Sequence, residues 1–253
     1  MTMLAETGTV VAQSRGARVY AVIARKGGVG KTTFTVNLAA VAGQNNPARD
    51  PDSPAPVVAA GIDPQGSLEE WADRVPENGL SFDYVSTRGR AGELAKLKED
   101  PAVSRIYVDS PGFMDTDADN DFAADPLGKG NAADALRDLL DIADVAIVPI
   151  TTDFMSWSPA EFTIERVLKP RNIPFIVVIN MWESRDGNAD LKDAIAWVDE
   201  RGYRRAPEAI RKLTLHSRAA KHGQVVTSYK ESGAALRARE DFYKLSLAIE
   251  QVF

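Results

Sequence analysis

One short run constrains this chain more than any other: Arg25-Lys26-Gly27-Gly28-Val29-Gly30-Lys31-Thr32-Thr33. It follows the apolar, β-rich stretch Val19 to Ala24 and opens the helix-forming stretch Thr32 to Ala42. A glycine-rich turn between strand and helix lets backbone N–H groups converge on phosphate oxygens, and the helix start adds partial positive charge. On this reading Gly27, Gly28, Val29, Gly30, Lys31, Thr32 and Thr33 wrap the phosphates of a nucleotide. Lys31 reaches the β- and γ-phosphates, and the Thr32 hydroxyl ligates Mg²⁺. The bland alternative, a flexible turn with an incidental lysine, is disfavoured by the strand–loop–helix setting. The run also departs from the ordinary phosphate loop: Arg25 stands where its first glycine belongs, and Lys26 adds a second cation.

The rest of the chain repeats this alternation. Val57 to Ile62, Phe82 to Val85, Ile106 to Asp109, Val145 to Ile150 and Phe175 to Asn180 read as buried strands. Ala132 to Ile142, Pro159 to Leu168 and Leu191 to Val198 read as helices, and Ala234 to Phe253 as a closing one. Strands separated by helices predict an α/β fold, a mostly parallel twisted sheet with helices on both faces. Residues 1–17 are expected to be a flexible N-terminal segment and 18–253 a single domain. Two segments read as insertions: proline-rich 44–56, and 113–130 with Asp115, Asp117, Asp119, Asp121 and Asp125 against one lysine. The alternating aspartates lack the glycine and glutamate of a calcium loop in every register, so an acidic loop is the expectation.

Two strand ends carry carboxylates, which in open α/β sheets face the ligand crevice. Gly61-Ile62-Asp63-Pro64 places Asp63 to orient or deprotonate an attacking water. Ile106-Tyr107-Val108-Asp109 ends in a residue suited to hold Mg²⁺ directly or through water. Composition narrows the chemistry further. The chain has no cysteine, which excludes disulfides, thiolate zinc, iron–sulfur clusters and a cysteine nucleophile. Its two histidines, His216 and His222, make a zinc hydrolase or histidine triad improbable. No apolar run approaches the roughly 18 residues that span a bilayer, and the N-terminus lacks a secretory pattern, so a cytoplasmic protein is expected.

The charge is unevenly spread. The whole chain has 30 basic and 36 acidic side chains, yet residues 201–253 hold 11 Lys and Arg against 5 Asp and Glu. That segment is therefore +6 and residues 1–200 are −12, a distribution suited to a localised anionic partner or to a solvated basic face.

The run Lys26 to Thr32 resembles the KGGxGKT hallmark of the ParA/MinD deviant Walker-A ATPases, and the resemblance extends from Val19 to about Ser246. Asp63-Pro64-Gln65-Gly66 is similar to that family's DxDPQGN segment, with Gly61 in place of its first aspartate, and Ala143-Asp144-Val145 to Pro149 to its ADxxxxP strand. The resemblance, strongest to short ParA-type partition ATPases, implies ATP and Mg²⁺ as ligands and slow hydrolysis in an ATP-bound homodimer. It implies that Lys26 contacts phosphate on the other subunit, and that Asn180, followed by Met181, reads adenine through a neutral amide. It further implies nonspecific double-stranded DNA as a partner, a ParB-like cargo-bound stimulator, plasmid or chromosome cargo, and nucleoid association. Arg204, Arg205, Arg211, Lys212, Arg218, Lys221, Arg237 and Arg239 are the expected DNA contacts. About 17 residues precede the first strand, so the helix-turn-helix domain of longer partition ATPases, and the operator-specific autoregulation it serves, are not expected. The alternative is a MinD-like organiser on a membrane surface or protein complex, for which Asp241 to Phe253 is poorly basic.

Overall fold

A computed structural model of the chain describes residues 16–50, 53–64, 66–76, 79–88, 90–113, 125–183, 185 and 187–252. Six parallel strands form one sheet: β1 (Arg18–Val22), β2 (Val57–Gly61), β3 (Asp83–Ser86), β4 (Arg105–Asp109), β5 (Val145–Thr151) and β6 (Phe175–Asn180). Their order is β3-β2-β4-β1-β5-β6. The chain steps outward from β1 to β3, then returns through β4 to the other side of β1. A reversal of this kind opens a crevice at the carboxyl ends of the central strands. All six expected strands are present, each within two residues of the predicted ends.

Register sets the site. Val22, the last residue of β1, pairs with Asp109, and Asp109 pairs on its other side with Gly61. The Ile62 amide donates to the Asp109 carbonyl at 3.2 Å. The phosphate loop, Asp109 and Asp63 thus leave three adjacent strands at one level.

Strand side chains alternate between two cores. Tyr20, Val22, Ala59, Tyr107, Ile147 and Val178 face α1 (Lys31–Asn45) and α8 (Gly233–Glu250), where α2 (Ser67–Ala72) and α7 (Thr214–Ala220) also pack. The other face covers α3 (Glu93–Glu99), α4 (Asn131–Ile142), α5 (Trp157–Phe162) and α6 (Ala189–Glu200). Helix α1 is buried continuously from Phe34 to Gly43 because α8 covers the side turned away from the sheet, with Phe34 and Phe242 5.6 Å apart. Tyr20 and Tyr107 stack at 4.6 Å on adjacent strands, a geometry worth ~1 kcal/mol beyond area burial.

Several expectations needed correction. Ala17, assigned to the N-terminal segment, is buried and donates to the Lys98 carbonyl at 2.8 Å; residues 1–15 lie outside the described residues. Gln44 and Asn45 finish α1, and the Pro56 carbonyl accepts from the Ser104 amide at 2.7 Å, so the 44–56 insertion is tied down at both ends. In 113–130, Phe113 and Leu127 are core residues and Asp125 pairs with Arg137; the acidic stretch 114–124 lies outside the described residues. The helix expected over Pro159 to Leu168 is α-helical only to Phe162 and continues as a π-helix over Thr163–Leu168. There the Thr163 hydroxyl donates back to the Pro159 carbonyl at 2.9 Å, competing with the regular ladder. Helices α2, α3 and α7 were not expected. They span six or seven residues each, too short for a clear period.

Beyond β6, residues 204–212 run alongside it as a broken seventh strand, bridging Val177 with Arg205 and Trp182 with Arg211. Pro207 interrupts the ladder because it has no N–H to donate. Among the described residues no helix is long and apolar enough to cross a membrane.

Candidate nucleotide site

The loop from Arg25 to Gly30 closes over the carboxyl end of β1 and hands the chain to α1. Gly28 has φ 73° and Gly30 φ 98°, left-handed values that side chains resist. Gly30 is further constrained by contact: a Cβ there would lie 2.5 Å from the Asn180 amide nitrogen. Gly30 caps α1 with no side-chain bond, and the first turn of the helix contains no acidic residue. The N–H groups of Lys31, Thr32 and Thr33 therefore precede any intrahelical acceptor, a setting that favours an anion. Val29 is buried and anchors the loop, whereas Gly27 and Gly28 are exposed.

Lys31 and Asp109 form the charged floor. Burial pulls the Lys31 pKa down, opposed by the charges of Asp109 and Asp63. Burial pushes Asp109 up to about 6, opposed by the Thr32 hydroxyl bond and the Lys31 charge, with Asp63 reinforcing the rise. Asp109 Oδ2 accepts from Thr32 Oγ1 at 2.7 Å, while its Oδ1 is buried without a hydrogen-bond partner among the described residues. A bare buried carboxylate oxygen is costly, and a hydroxyl beside a carboxylate is a hard-oxygen donor pair. These residues fit Mg²⁺, which takes one or two carboxylates together with substrate phosphates and water.

The two cations ahead of the glycines are held by the segment after β5. Lys26 Nζ is 3.3 Å from Asp153 Oδ2, and the Arg25 guanidinium lies 4.1 Å above the Phe162 ring. The sequence reading missed Asp153 and Phe162. Asp153, like Asp63, is a carboxylate just past a strand end and is legible on that ground; Phe162 carries no local signal. Gly61 is buried, and a Cβ there would come within 3.0 Å of the Leu68 Cβ. A side chain at that position requires Leu68 to give by a few tenths of an ångström.

Asn180 is buried at the end of β6 and donates through Nδ2 to the Val29 carbonyl at 2.8 Å. One of its donors is spent on the phosphate loop, leaving the carbonyl oxygen and a second N–H for a ligand. Met181 follows at φ 59°, an uncommon conformation for a side chain of its size. A cleft of about 1460 Å³ begins here, lined by Thr33, Asn180, Met181, Trp182, Leu213 and Arg218 among others.

The eight cations expected to meet DNA separate into two groups. Arg239 is a clamp within the fold, its guanidinium donating to the Val226 and Tyr229 carbonyls at 2.9 and 2.8 Å. Arg211 pairs with Glu240 and with buried Asp241, each at 2.8 Å. Arg205 pairs with Asp199 and donates to the Ala206 and Pro207 carbonyls. Lys212 pairs with Glu183 at 3.2 Å, and Arg204 donates to the Gln251 carbonyl at 2.7 Å while remaining exposed. Arg218, Lys221 and Arg237 are exposed and have no partner among the described residues; Arg218 and Arg237 line the cleft rim.

Known proteins share this fold. Maintenance of carboxysome distribution protein A of Gloeobacter kilaueensis is 27% identical over 235 residues, covering 92% of this chain and 94% of that protein. The MinD cell division protein of Aquifex aeolicus superposes with a TM-score of 0.63 at 16% identity, covering 90% of this chain and 97% of that one. A putative plasmid partition protein of Borrelia burgdorferi bound to AMPPNP gives 0.61 at 13% identity, covering 94% and 100%. The family model for the CobQ/CobB/MinD/ParA nucleotide binding domain matches residues 20–226, and the chain belongs to that family.

Proposed function

We propose that this chain is a Mg²⁺-dependent ATPase that dimerises around ATP, binds duplex DNA without sequence preference and positions a cargo in concert with a partner protein. The observation that carries the reading is the Asp109–Thr32 pair beside Lys31, at the level where β1, β2 and β4 end. The α1 N-terminus and Lys31 would bind the phosphates, and Thr32 and Asp109 would hold the metal. When bound, Mg²⁺ supplies charge neutralisation at the β- and γ-phosphates. Asp63 would orient the attacking water; little covalent assistance is needed beyond position and charge.

For the track, Arg218, Lys221 and Arg237 form the basic group. Exposed cations without partners can neutralise DNA phosphates and give affinity that carries no base information. The −12 of residues 1–200 disfavours DNA elsewhere on the surface. That relatives are named for plasmid partition and for carboxysome distribution supports a cargo that is either DNA or a protein compartment.

Sedimentation velocity with no nucleotide, ADP or ATP, followed by DNA co-sedimentation at two salt concentrations, tests the reading. The expected result is a dimer with ATP alone, and a DNA-bound dimer that dissociates as salt rises. A monomer under all three conditions would overturn the dimer. Retention on anionic liposomes without DNA binding would favour the membrane-surface alternative.

A further inference from the structure

We infer that the indole of Trp182 is the aromatic wall against which the purine ring of the nucleotide lies. The inference rests on the nucleotide reading of the site and assigns a residue to its base end.

Trp182 comes two residues after Asn180, separated from it by the left-handed turn at Met181. Its backbone is held from the far side: its amide donates to the Ile210 carbonyl at 3.1 Å, and its carbonyl accepts from the Lys212 amide at 2.8 Å. The indole nitrogen is 3.5 Å from the Gly187 carbonyl. Backbone and ring edge are therefore both restrained, and the side chain is half-buried in the wall of the cleft that contains Asn180. Strain of the Met181 kind persists where surrounding structure enforces it, and it clusters at ligand clamps.

The other tryptophans are used differently. Trp71 is buried and stacked on Phe82. Trp197 is buried between Trp157 and Tyr203, and Trp157 donates its indole N–H to the Thr151 carbonyl at 3.0 Å. Trp182 packs on no aromatic ring among the described residues, and Leu213 and Leu215 supply further apolar lining to its cleft. A half-exposed indole lining the same cleft as an amide that can read a base edge matches a purine, which needs an apolar face and a polar edge together.

The test compares Mg·ADP with Mg·pyrophosphate, which shares the phosphates and lacks the base. In the unmodified chain, ADP should bind more tightly than pyrophosphate and quench tryptophan fluorescence, while pyrophosphate should not quench. Trp182→Ala should weaken ADP about tenfold and leave pyrophosphate affinity unchanged. Trp182→Phe should restore most of the ADP affinity while abolishing the quench. Because the phenylalanine variant keeps a ring in the wall, its lost quench tests the inference even if the alanine variant fails to fold. A quench that survives in Trp182→Phe, or ADP affinity unchanged in a folded Trp182→Ala, overturns the role of Trp182 and leaves the base cleft standing. ADP binding no tighter than pyrophosphate in the unmodified chain overturns the base cleft itself and the wall with it.

Discussion

Thr32 and Asp109, 77 residues apart in the chain, meet through a 2.7 Å hydrogen bond. The bond satisfies one oxygen of a buried carboxylate whose other oxygen has no partner among the described residues. Burial raises the Asp109 pKa to about 6, so folding carries an ionised, underserved group at neutral pH. The folded pKa exceeds the unfolded one, so the penalty is absent well below pH 4, grows as pH rises through the folded value, and is fully present above it. Asp109→Asn should therefore raise ligand-free stability at pH 8 by an amount on the order of 1–3 kcal/mol, seen as a higher melting temperature, with the gain vanishing toward pH 4. The same variant should lose Mg²⁺-dependent nucleotide affinity. In the unmodified chain that affinity should fall as pH drops below about 6. Calorimetric melts across pH and titrations with and without Mg²⁺ check both; a variant no more stable at pH 8 would show that the penalty is relieved within the fold.

Asp63 contributes charge to the floor and stands where β2 ends. If it orients water, Asp63→Ala should keep ATP affinity within a few-fold and lower turnover by about two to four orders of magnitude. Single-turnover hydrolysis and equilibrium binding separate these effects. Equal loss of nucleotide in Asp63→Ala and Asp109→Asn would mean that the two carboxylates do not divide the work as assigned.

Lys26 is held by Asp153 at 3.3 Å at the surface, and exposed pairs contribute about 0–1 kcal/mol. Lys26→Ala should thus leave the melting temperature and nucleotide binding near the unmodified values. Light scattering with ATP should show no dimer if the lysine acts on the second subunit. A mutant that dimerises normally removes that role.

Gly30 has no room for a methyl group, because its Cβ position lies 2.5 Å from the Asn180 amide and its φ is 98°. Gly30→Ala should lower stability by about 1–3 kcal/mol and weaken nucleotide binding. Asn180→Asp should also weaken both, since a carboxylate cannot donate to the Val29 carbonyl. Thermal melts and ADP titration give the measurements; a fully stable Gly30→Ala would indicate that the Asn180 contact is easily displaced.

Among the basic residues, Arg239→Ala should cost about 1–3 kcal/mol of stability, since it leaves two backbone carbonyls without donors. Arg218→Glu, Lys221→Glu and Arg237→Glu should leave the melting temperature within about 0.5 kcal/mol equivalent and reduce ATP-dependent DNA retention. If charge reversal at all three leaves DNA binding intact, the basic group is only a solvated surface.

Much of this site can be read from the sequence because its parts are local. Lys26 to Thr33 is contiguous, and its glycines, helix start and lysine work through backbone geometry that sequence order enforces. Asp63 and Asp109 are legible because a parallel strand ending in a carboxylate has one place to point, at the crevice edge. The strands were found because they are short apolar runs bounded by breakers. Thr32 to Ala42 reads in the sequence as an amphipathic stretch, whereas α1 is buried continuously from Phe34 to Gly43, because the sequence does not show that α8 covers its outer side.

By itself the sequence determined the fold class, the phosphate loop and the two strand-end carboxylates, through local periodicity and the chemistry of a glycine turn before a helix. The tertiary structure decided which cations are committed elsewhere, because a pairing such as Arg211 with Asp241 or Arg239 with the Val226 carbonyl depends on how α8 packs against segments far from it in sequence. It also decided that Asp153 holds Lys26, that Phe162 underlies Arg25, that Gly61 packs tightly against Leu68 and that Trp182 lines the cleft of Asn180. Charge and composition are sums along the chain, whereas ion pairing and cleft lining depend on distance in space, and the strand order β3-β2-β4-β1-β5-β6 is what converts one into the other.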